Sequence, residues 1–400
     1  MHFIAEVVEQ FLNGENWIQT PCVTRIELLF LDVMFPHGIT YQATHLPEFL
    51  FDVILKSSTM TAMKWIPGLL VSMVFFAMQN PRVPAVSPYV DVHTHIDELT
   101  EKSVELAVQA MQGDNRAKYL FLPSPFEEVG GRSFDIEALQ MITKKYGDKI
   151  ALLGGGGTLN PMLVEAIRAG KTSPELEKRF KDRAEAIARQ GAVGFGELTA
   201  EHRPSASTPS YQSAPPDHPL LIALSDIAAS HDMPIVLHME AVQDTMPIPE
   251  SWHVNPLPNP PTMRPNIAAF ERLVAHNPRT KIIWAHGGWD NTGIRTPALV
   301  RQLLQAHPNL YMEIKIDPLN AGLNSPLDSG ATGKLKPEWL KLFQDFPDRF
   351  VIGSDQHYPM PENQPQRWQA VITMFNQLPP DVRRKVGVEN VGKIYKLRSN

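Results

Sequence analysis

At 400 residues the chain is long for one ordinary domain and short for three, although an α/β barrel fills such a length alone. Its 43% hydrophobic and 20% charged residues suit a globular protein with a sizeable core, and 36 prolines point to stiffened connections. A net charge of −6 gives no electrostatic ground for nucleic acid or an anionic membrane as partner, and the single cysteine, Cys22, excludes a disulfide framework, a Cys-based zinc finger and a resolving-cysteine redox mechanism.

Residues 1–62 mix apolar runs (Ile26–Phe30, Phe49–Leu55) with breakers and sustain no period. The next segment, 63-MKWIPGLLVSMVFFAMQNP-81, opens on Met63 and Lys64 and is uncharged and mostly apolar from Trp65 to Met78. A short positive start, an apolar stretch too short to span comfortably and a polar exit describe a secretory signal peptide, although no clear A-x-A-like cleavage site stands around Ala77–Gln79. Its position deep in the chain leaves three readings. Translation starts at Met63 and the protein is exported, periplasmic or secreted, with 1–62 an over-long extension. Alternatively 63–80 is an uncleaved membrane anchor, or it is a buried helix of an N-terminal subdomain in a cytoplasmic protein.

From Pro88 the pattern changes to alternation. Strand-length apolar runs recur at Tyr89–His93, Ala117–Leu122, Ile150–Leu153, Ala192–Phe195, Pro234–Leu237, Lys281–Trp284, Leu310–Ile314 and Arg349–Ile352. Helical spacing fills most of the intervals, at Thr100–Met111, Phe134–Tyr146, Pro174–Gln190, His218–His231, Ile267–His276 and Pro297–His307. Eight strands alternating with helices read as parallel βα units. The expected fold is an α/β (β/α)8 TIM barrel over residues 88–400, with long βα loops and a non-barrel segment before it. An open doubly wound sheet is the alternative.

A barrel places its functional residues where the strands end, at the C-terminal face. Those ends carry His93 and His95, Glu197, His238, His286 and Asp355, all of them metal-ligand types. With one cysteine in the chain, any metal must be held by His, Asp and Glu, with zinc first and manganese second for such a donor set. The His93-x-His95 pair alone says little, since 14 histidines in 400 residues give about half such a pair by chance. Strand alternation turns both imidazoles to one face. His238 closes 234-PIVLH-238, and His286 closes 281-KIIWAH-286 ahead of Gly287 and Gly288. Asp355 ends the apolar run of 350-FVIGSD-355, and burial of a carboxylate is costly unless it is paired, hydrogen-bonded or bound to metal. Glu197, in 192-AVGFGELT-199, reads as a ligand, as a partner to a histidine or as an ion-pair partner of Arg203. His218, His231, His276 and His307 read as structural or solvated. The run 154-GGGG-157 lacks the GK[ST] of a phosphate loop and reads as a turn at the mouth of the third strand.

Taken together, HxH on strand one, an acid on strand four, His on strands five and six and Asp on strand eight resemble the amidohydrolase superfamily of metal-dependent barrel hydrolases. The stretches 281-KIIWAHGGW-289, 350-FVIGSDQHYP-359 and 389-ENVGKIYKL-397 are similar to its amidohydrolase-2 (amidohydrolase-related) branch, over about Pro88 to Leu397. Many dinuclear members carry a carboxylated lysine on strand four. Glu197 departs from that and resembles the TatD-like deoxyribonuclease branch, while the amidohydrolase-2 branch is often mononuclear, so one ion and two both stay open.

The resemblance implies that His93, His95, His238 and Asp355 hold a divalent ion whose bound water becomes the nucleophile. Asp355 would act as general base and then acid. His286 would be a second-metal ligand or would orient the water and stabilise the oxyanion. If Glu197 and His286 both coordinate, two metals share the site. Specificity is expected from the long loops 199–217, 239–265 and 316–336. Arg203 and Lys315 are candidates for a substrate carboxylate or phosphate, Trp289 for stacking on a ring, and Trp252 and His253 for a lid or pocket wall.

The activity implied is hydrolysis of a small-molecule amide, lactone or ester. The alternatives are a decarboxylase, since relatives include aminocarboxymuconate-semialdehyde decarboxylase, and a TatD-like nuclease, against which the acidic charge stands. A barrel with a vestigial binding site is the non-enzyme reading. The expected partner is a small-molecule substrate. No nucleic acid is expected, membrane contact would come only through an uncleaved N-terminal segment, and a homo-oligomer is open.

Overall fold

The computed structural model describes residues 87–128, 133–202, 212–250, 260–316, 323–328, 333–359 and 364–397. The apolar segment 63–80, and with it the reading of export from Met63, lies outside the described residues, as do Arg203, Trp252 and His253.

Eight strands run in chain order: β1 (Tyr89–Ile96), β2 (Arg116–Leu122), β3 (Ile150–Gly155), β4 (Gly194–Thr199), β5 (Pro234–His238), β6 (Lys281–Trp284), β7 (Leu310–Ile314) and β8 (Phe350–Ile352). Each pairs in parallel with the next, and β8 returns to β1 through Asp91 opposite Ile352. The sheet is thereby closed, with no free edge, as the (β/α)8 reading expects. A ninth strand, β9 (Gln356–Tyr358), continues past β8 and pairs with the far end of β1 at Thr94, His95 and Ile96.

The helices are α1 (Glu101–Asp114), α2 (Ile136–Thr143), α3 (Leu159–Ala169), α4 (Pro174–Arg189), α5 (Pro219–His231), α6 (Ile267–His276), α7 (Pro297–Ala306), α8 (Pro337–Asp345), α9 (Gln364–Asn376), α10 (Pro380–Arg384) and α11 (Asn390–Tyr395). Their starts follow from local chemistry. Ser173 accepts from Leu176 N and Thr296 from Leu299 N, each just ahead of a proline at the first helical position. Phe180, Leu220, Phe270, Trp284, Leu303 and Trp339 belong to the apolar layer between sheet and helices. None of the helices among the described residues is long and apolar enough to cross a membrane.

A second cluster joins Val90, Leu120, Leu153, Val236, Ile283 and Val351 of six strands to Val391, Ile394 and Tyr395 of α11. Lys281, the first residue of β6, donates to Ile394 O at 3.2 Å, so α11 covers the end where the strands begin. The opposite mouth, where they end, is left to polar side chains.

Several strands outrun the lengths expected of them, β1 and β4 by the most. β1 continues through His95 to Ile96, paired to β2 by Thr94 with Phe121 and His95 with Leu122. β4 continues past Phe195 to Thr199, held by Leu198 opposite Leu237 and Thr199 opposite His238 of β5. Short antiparallel ribbons follow β4 (Glu201–His202 with Gln212–Ser213) and β5 (Met246–Pro247 with Thr262–Met263). The four-glycine run ends β3 and turns into α3. A Cβ on Gly157 would stand 1.6 Å from Phe134 O, and one on Gly156 would stand 2.4 Å from Pro123 O. These glycines let backbone cross backbone, as the reading of a turn expects.

Candidate metal centre

His93 and His95 leave β1 side by side, with their Nε2 atoms 3.0 Å apart. The other nitrogen of each ring is already committed. His93 Nδ1 donates to Glu313 Oε2 at 2.7 Å, and His95 Nδ1 donates to Leu122 O at 3.2 Å. With the proton held on Nδ1, both Nε2 lone pairs face the cavity. Glu197 Oε2 lies 3.7 Å from His93 Nε2 and 3.6 Å from His95 Nε2; Asp355 Oδ1 lies 3.5 and 3.3 Å from the same two atoms.

The second Glu197 oxygen faces another pair. Oε1 is 2.8 Å from His238 Nδ1 and 3.0 Å from His286 Nε2, and those two nitrogens are 3.1 Å apart. Glu197 thus stands between a His93, His95, Asp355 group and a His238, His286 group, with one oxygen in each. All six side chains are buried. Tetrahedral bonds of about 2.0–2.1 Å from zinc to N or O put neighbouring donors about 3.4 Å apart. The observed separations bracket that spacing, and the nitrogen and carboxylate donors suit a divalent cation. The residues present therefore fit a metal at either group.

For both carboxylates, and for His95 and His238, the electrostatics agree with the geometry. Burial alone would raise the Glu197 carboxyl, but His93, His238 and the hydrogen bonds around it hold it well below the usual carboxylate range. Burial would raise Asp355 too, yet Lys315 and His286 hold it well below. Lys315 Nζ touches Asp355 Oδ2 and lies 3.6 Å above the Trp289 ring. Burial lowers His95 and His238, favouring the neutral imidazole that a metal requires. For His93 burial acts in the same direction, but Glu313 and Glu197 outweigh it and raise its pKa well above the ordinary value.

The backbone around these groups is firmly held. Asp91 Oδ1 accepts from Ser354 N at 2.9 Å and from His93 N at 3.3 Å, while its Oδ2 accepts from Arg116 at 3.0 Å. Asp355 N in turn donates to His93 O at 2.9 Å. Arg295, buried, donates to the carbonyls of Ala285, His286 and Met239. Residues His286 and Asp355 both have positive φ, 62° and 50°, an unusual backbone for non-glycine residues at positions that aim functional side chains.

All six residues expected at the strand ends meet here, with Lys315 and Trp289 beside them. His218 caps α5 by accepting from Leu220 N, and His231, His276 and His307 pair with Glu185, Asp226 and Glu271 away from the site, consistent with structural or solvated roles. Two residues escaped the sequence reading. Glu313 lies inside the apolar run Leu310–Ile314, where a wholly buried carboxylate was itself the signal. His357 stacks on His95, with ring centroids 4.6 Å apart, and its Nδ1 donates to Asp97 Oδ1 at 2.9 Å. Nothing in its local sequence set it apart from the other loop histidines.

The sequence pattern of the amidohydrolase family, of the amidohydrolase-2 type, matches residues 90–397. No curated protein sequence matches the chain. Among solved structures it is similar to 2,6-dihydroxybenzoate decarboxylase from Rhizobium (13% identity, 78% of this chain and 99% of that one, TM-score 0.45). It is also similar to dihydroorotase from Campylobacter jejuni (15%, 78% and 84%, 0.45) and 4-oxalomesaconate hydratase from Rhodopseudomonas palustris (12%, 77% and 95%, 0.46).

Proposed function

Because the chain belongs to the amidohydrolase family, an enzyme family, we propose that it is a metal-dependent hydrolase of a small-molecule amide, lactone or ester. The observation that carries this reading is the division of Glu197, with one oxygen in each of two donor groups built from four histidines and Asp355. His93, His95, Asp355 and Glu197 Oε2 would hold one ion, and His238, His286 and Glu197 Oε1 a second, zinc or manganese. Bound there, a divalent metal supplies Lewis acidity toward a carbonyl oxygen and a water made acidic enough to react at neutral pH.

The chain's own residues do the rest. Asp355 is kept anionic beside Lys315, so its carboxylate is ready to take the proton of the attacking water and return it to the leaving group. Glu313 and the Leu122 carbonyl keep the proton of His93 and His95 on Nδ1. Trp289, buried and edge-on to His286 at 5.9 Å, shields one wall from water. The same Lys315 and Trp289 support a second reading, decarboxylation of a carboxylated ring, since a cation above an aromatic face suits an anionic aromatic substrate.

Elemental analysis of the full chain is the test, with Glu197→Ala beside it. Two equivalents of metal are expected, falling to one or fewer in the variant. No bound metal in the parent sinks the reading. A panel of lactones, amides, esters and carboxylated rings then separates the two activities: carbon dioxide release without hydrolysis selects the lyase. Metal-dependent DNA cleavage would select a nuclease instead.

A further inference from the structure

Glu313 projects from β7 between the two donor groups and belongs to neither. Its Oε2 accepts from His93 Nδ1 at 2.7 Å. Its Oε1 lies 3.4 Å from His286 Nδ1. Both of those last atoms are wholly enclosed and have no hydrogen-bond partner among the described residues, so a shift of a few tenths of an ångström joins two otherwise unsatisfied groups. The space for the carboxylate exists because residue 353, just past β8, is glycine. A Cβ there would lie 2.4 Å from Glu313 Cδ and 2.5 Å from Oε1. Main-chain bonds hold the other side: Gly287 N donates to Glu313 O at 2.6 Å, tying the carboxylate's own strand to the turn after His286.

We propose that Glu313 is a positioning residue that sets the tautomers of two histidines at once. It accepts the Nδ1 protons of His93 and His286, so each presents Nε2 to a different donor group and the two metal positions depend on one carboxylate. This rests on the metal-binding reading above. The chemistry requires a carboxylate in particular. Two Nδ1–H donors need two acceptor oxygens, and a glutamine of the same shape offers one acceptor and one donor. An amide NH2 facing His286 turns Nδ1 into the acceptor and moves the ring proton to Nε2. That nitrogen, 3.0 Å from Glu197 Oε1, then cannot ligate. If the amide faces the other way, His93 is the ring that is lost. Either way one metal position fails while the other survives. Outer partners of metal-bound histidines typically govern metal affinity by 10–100-fold.

The test is cobalt titration of the full-length chain, read by elemental analysis and by the visible Co(II) spectrum, on the parent, Glu313→Gln and Glu313→Ala. The parent is expected to take two equivalents. Glu313→Gln should take one, with the second ion weakened at least ten-fold and one of the two spectral components missing; Glu313→Ala should weaken both. Two equivalents with the parent's spectrum and affinities in Glu313→Gln would overturn the proposal while leaving metal binding intact. A parent that binds no metal would instead overturn the reading beneath it. Should Glu313→Gln fail to fold, Gly353→Ala displaces the carboxylate without changing its chemistry. It is expected to weaken at least one ion about ten-fold, and full two-ion binding there would equally refute the assignment.

Discussion

A buried acid needs a reason to be buried, and the chain offers contrasting solutions within a few residues. Glu197 is surrounded by imidazoles and stays anionic. Glu201, four residues on, accepts from Ser213 Oγ on its Oε2 at 3.2 Å, and its Oε1 is enclosed without a partner among the described residues. Glu240, Arg264 and Asn266 face it. Burial dominates, Glu240 adds to it, and the carboxyl is pushed up to about 8. Between pH 4.5 and 8 the folded chain therefore keeps a proton that the unfolded chain has lost, so stability falls as pH rises, by about 1.4 kcal/mol per pH unit from this group. Glu201→Gln should flatten that fall and melt above the parent at pH 8, measured as Tm across pH 5 to 8. A steeper or unchanged profile would contradict the protonated state.

Lys315 is the opposite case, a buried cation whose partner is Asp355. Removing one member of such a pair strands the other charge, at a cost of about 3–5 kcal/mol. Lys315→Met should lower the melting temperature of metal-stripped protein accordingly, and added zinc should restore part of the loss by neutralising Asp355. Equal losses with and without zinc would show that the metal does not reach Asp355.

At the scale of elements, the strands and most helices were legible because apolar runs and caps are local. The end of β4 was not. Gly194, Gly196 and Glu197 have turn composition, and only pairing with β5 at Leu237 and His238 keeps Leu198 and Thr199 in the sheet. Helix α3 was hidden for a similar reason, since Asn160 and Pro161 look like breakers but occupy its first turn, where proline is tolerated. The glycines ahead of it are indispensable by contrast. A Cβ at residue 157 would overlap the Phe134 carbonyl, so Gly157→Ala is expected to cost about 3 kcal/mol or more, and its urea midpoint should fall well below the parent's. An unchanged midpoint would mean that the loop after β2 can move aside.

On the scale of the whole molecule, ring closure matters most. Six side chains from five strands of the barrel, far apart in sequence, meet because β8 pairs back onto β1 and each strand ends at the same mouth. A ligand that binds the folded chain alone stabilises it by about 2.7 kcal/mol at a hundred times its dissociation constant. Chelated protein should therefore melt several degrees below zinc- or manganese-loaded protein, with the difference shrinking in Glu197→Ala. Identical melts would leave the six donors without a metal to hold.

The sequence by itself determined the alternation of strands and helices and the residue types at the strand ends, because periodicity and composition act over a few residues. It also marked Lys315 and Trp289 by their place near those ends. What it could not determine was division of labour. That Glu197 turns one oxygen to each donor group, that Glu313 stands behind His93 and His286, and that His357 leans on His95 are consequences of side chains converging from different strands. Distances of about 3 Å between residues up to 263 positions apart are properties of the closed barrel, and only the tertiary structure decides them.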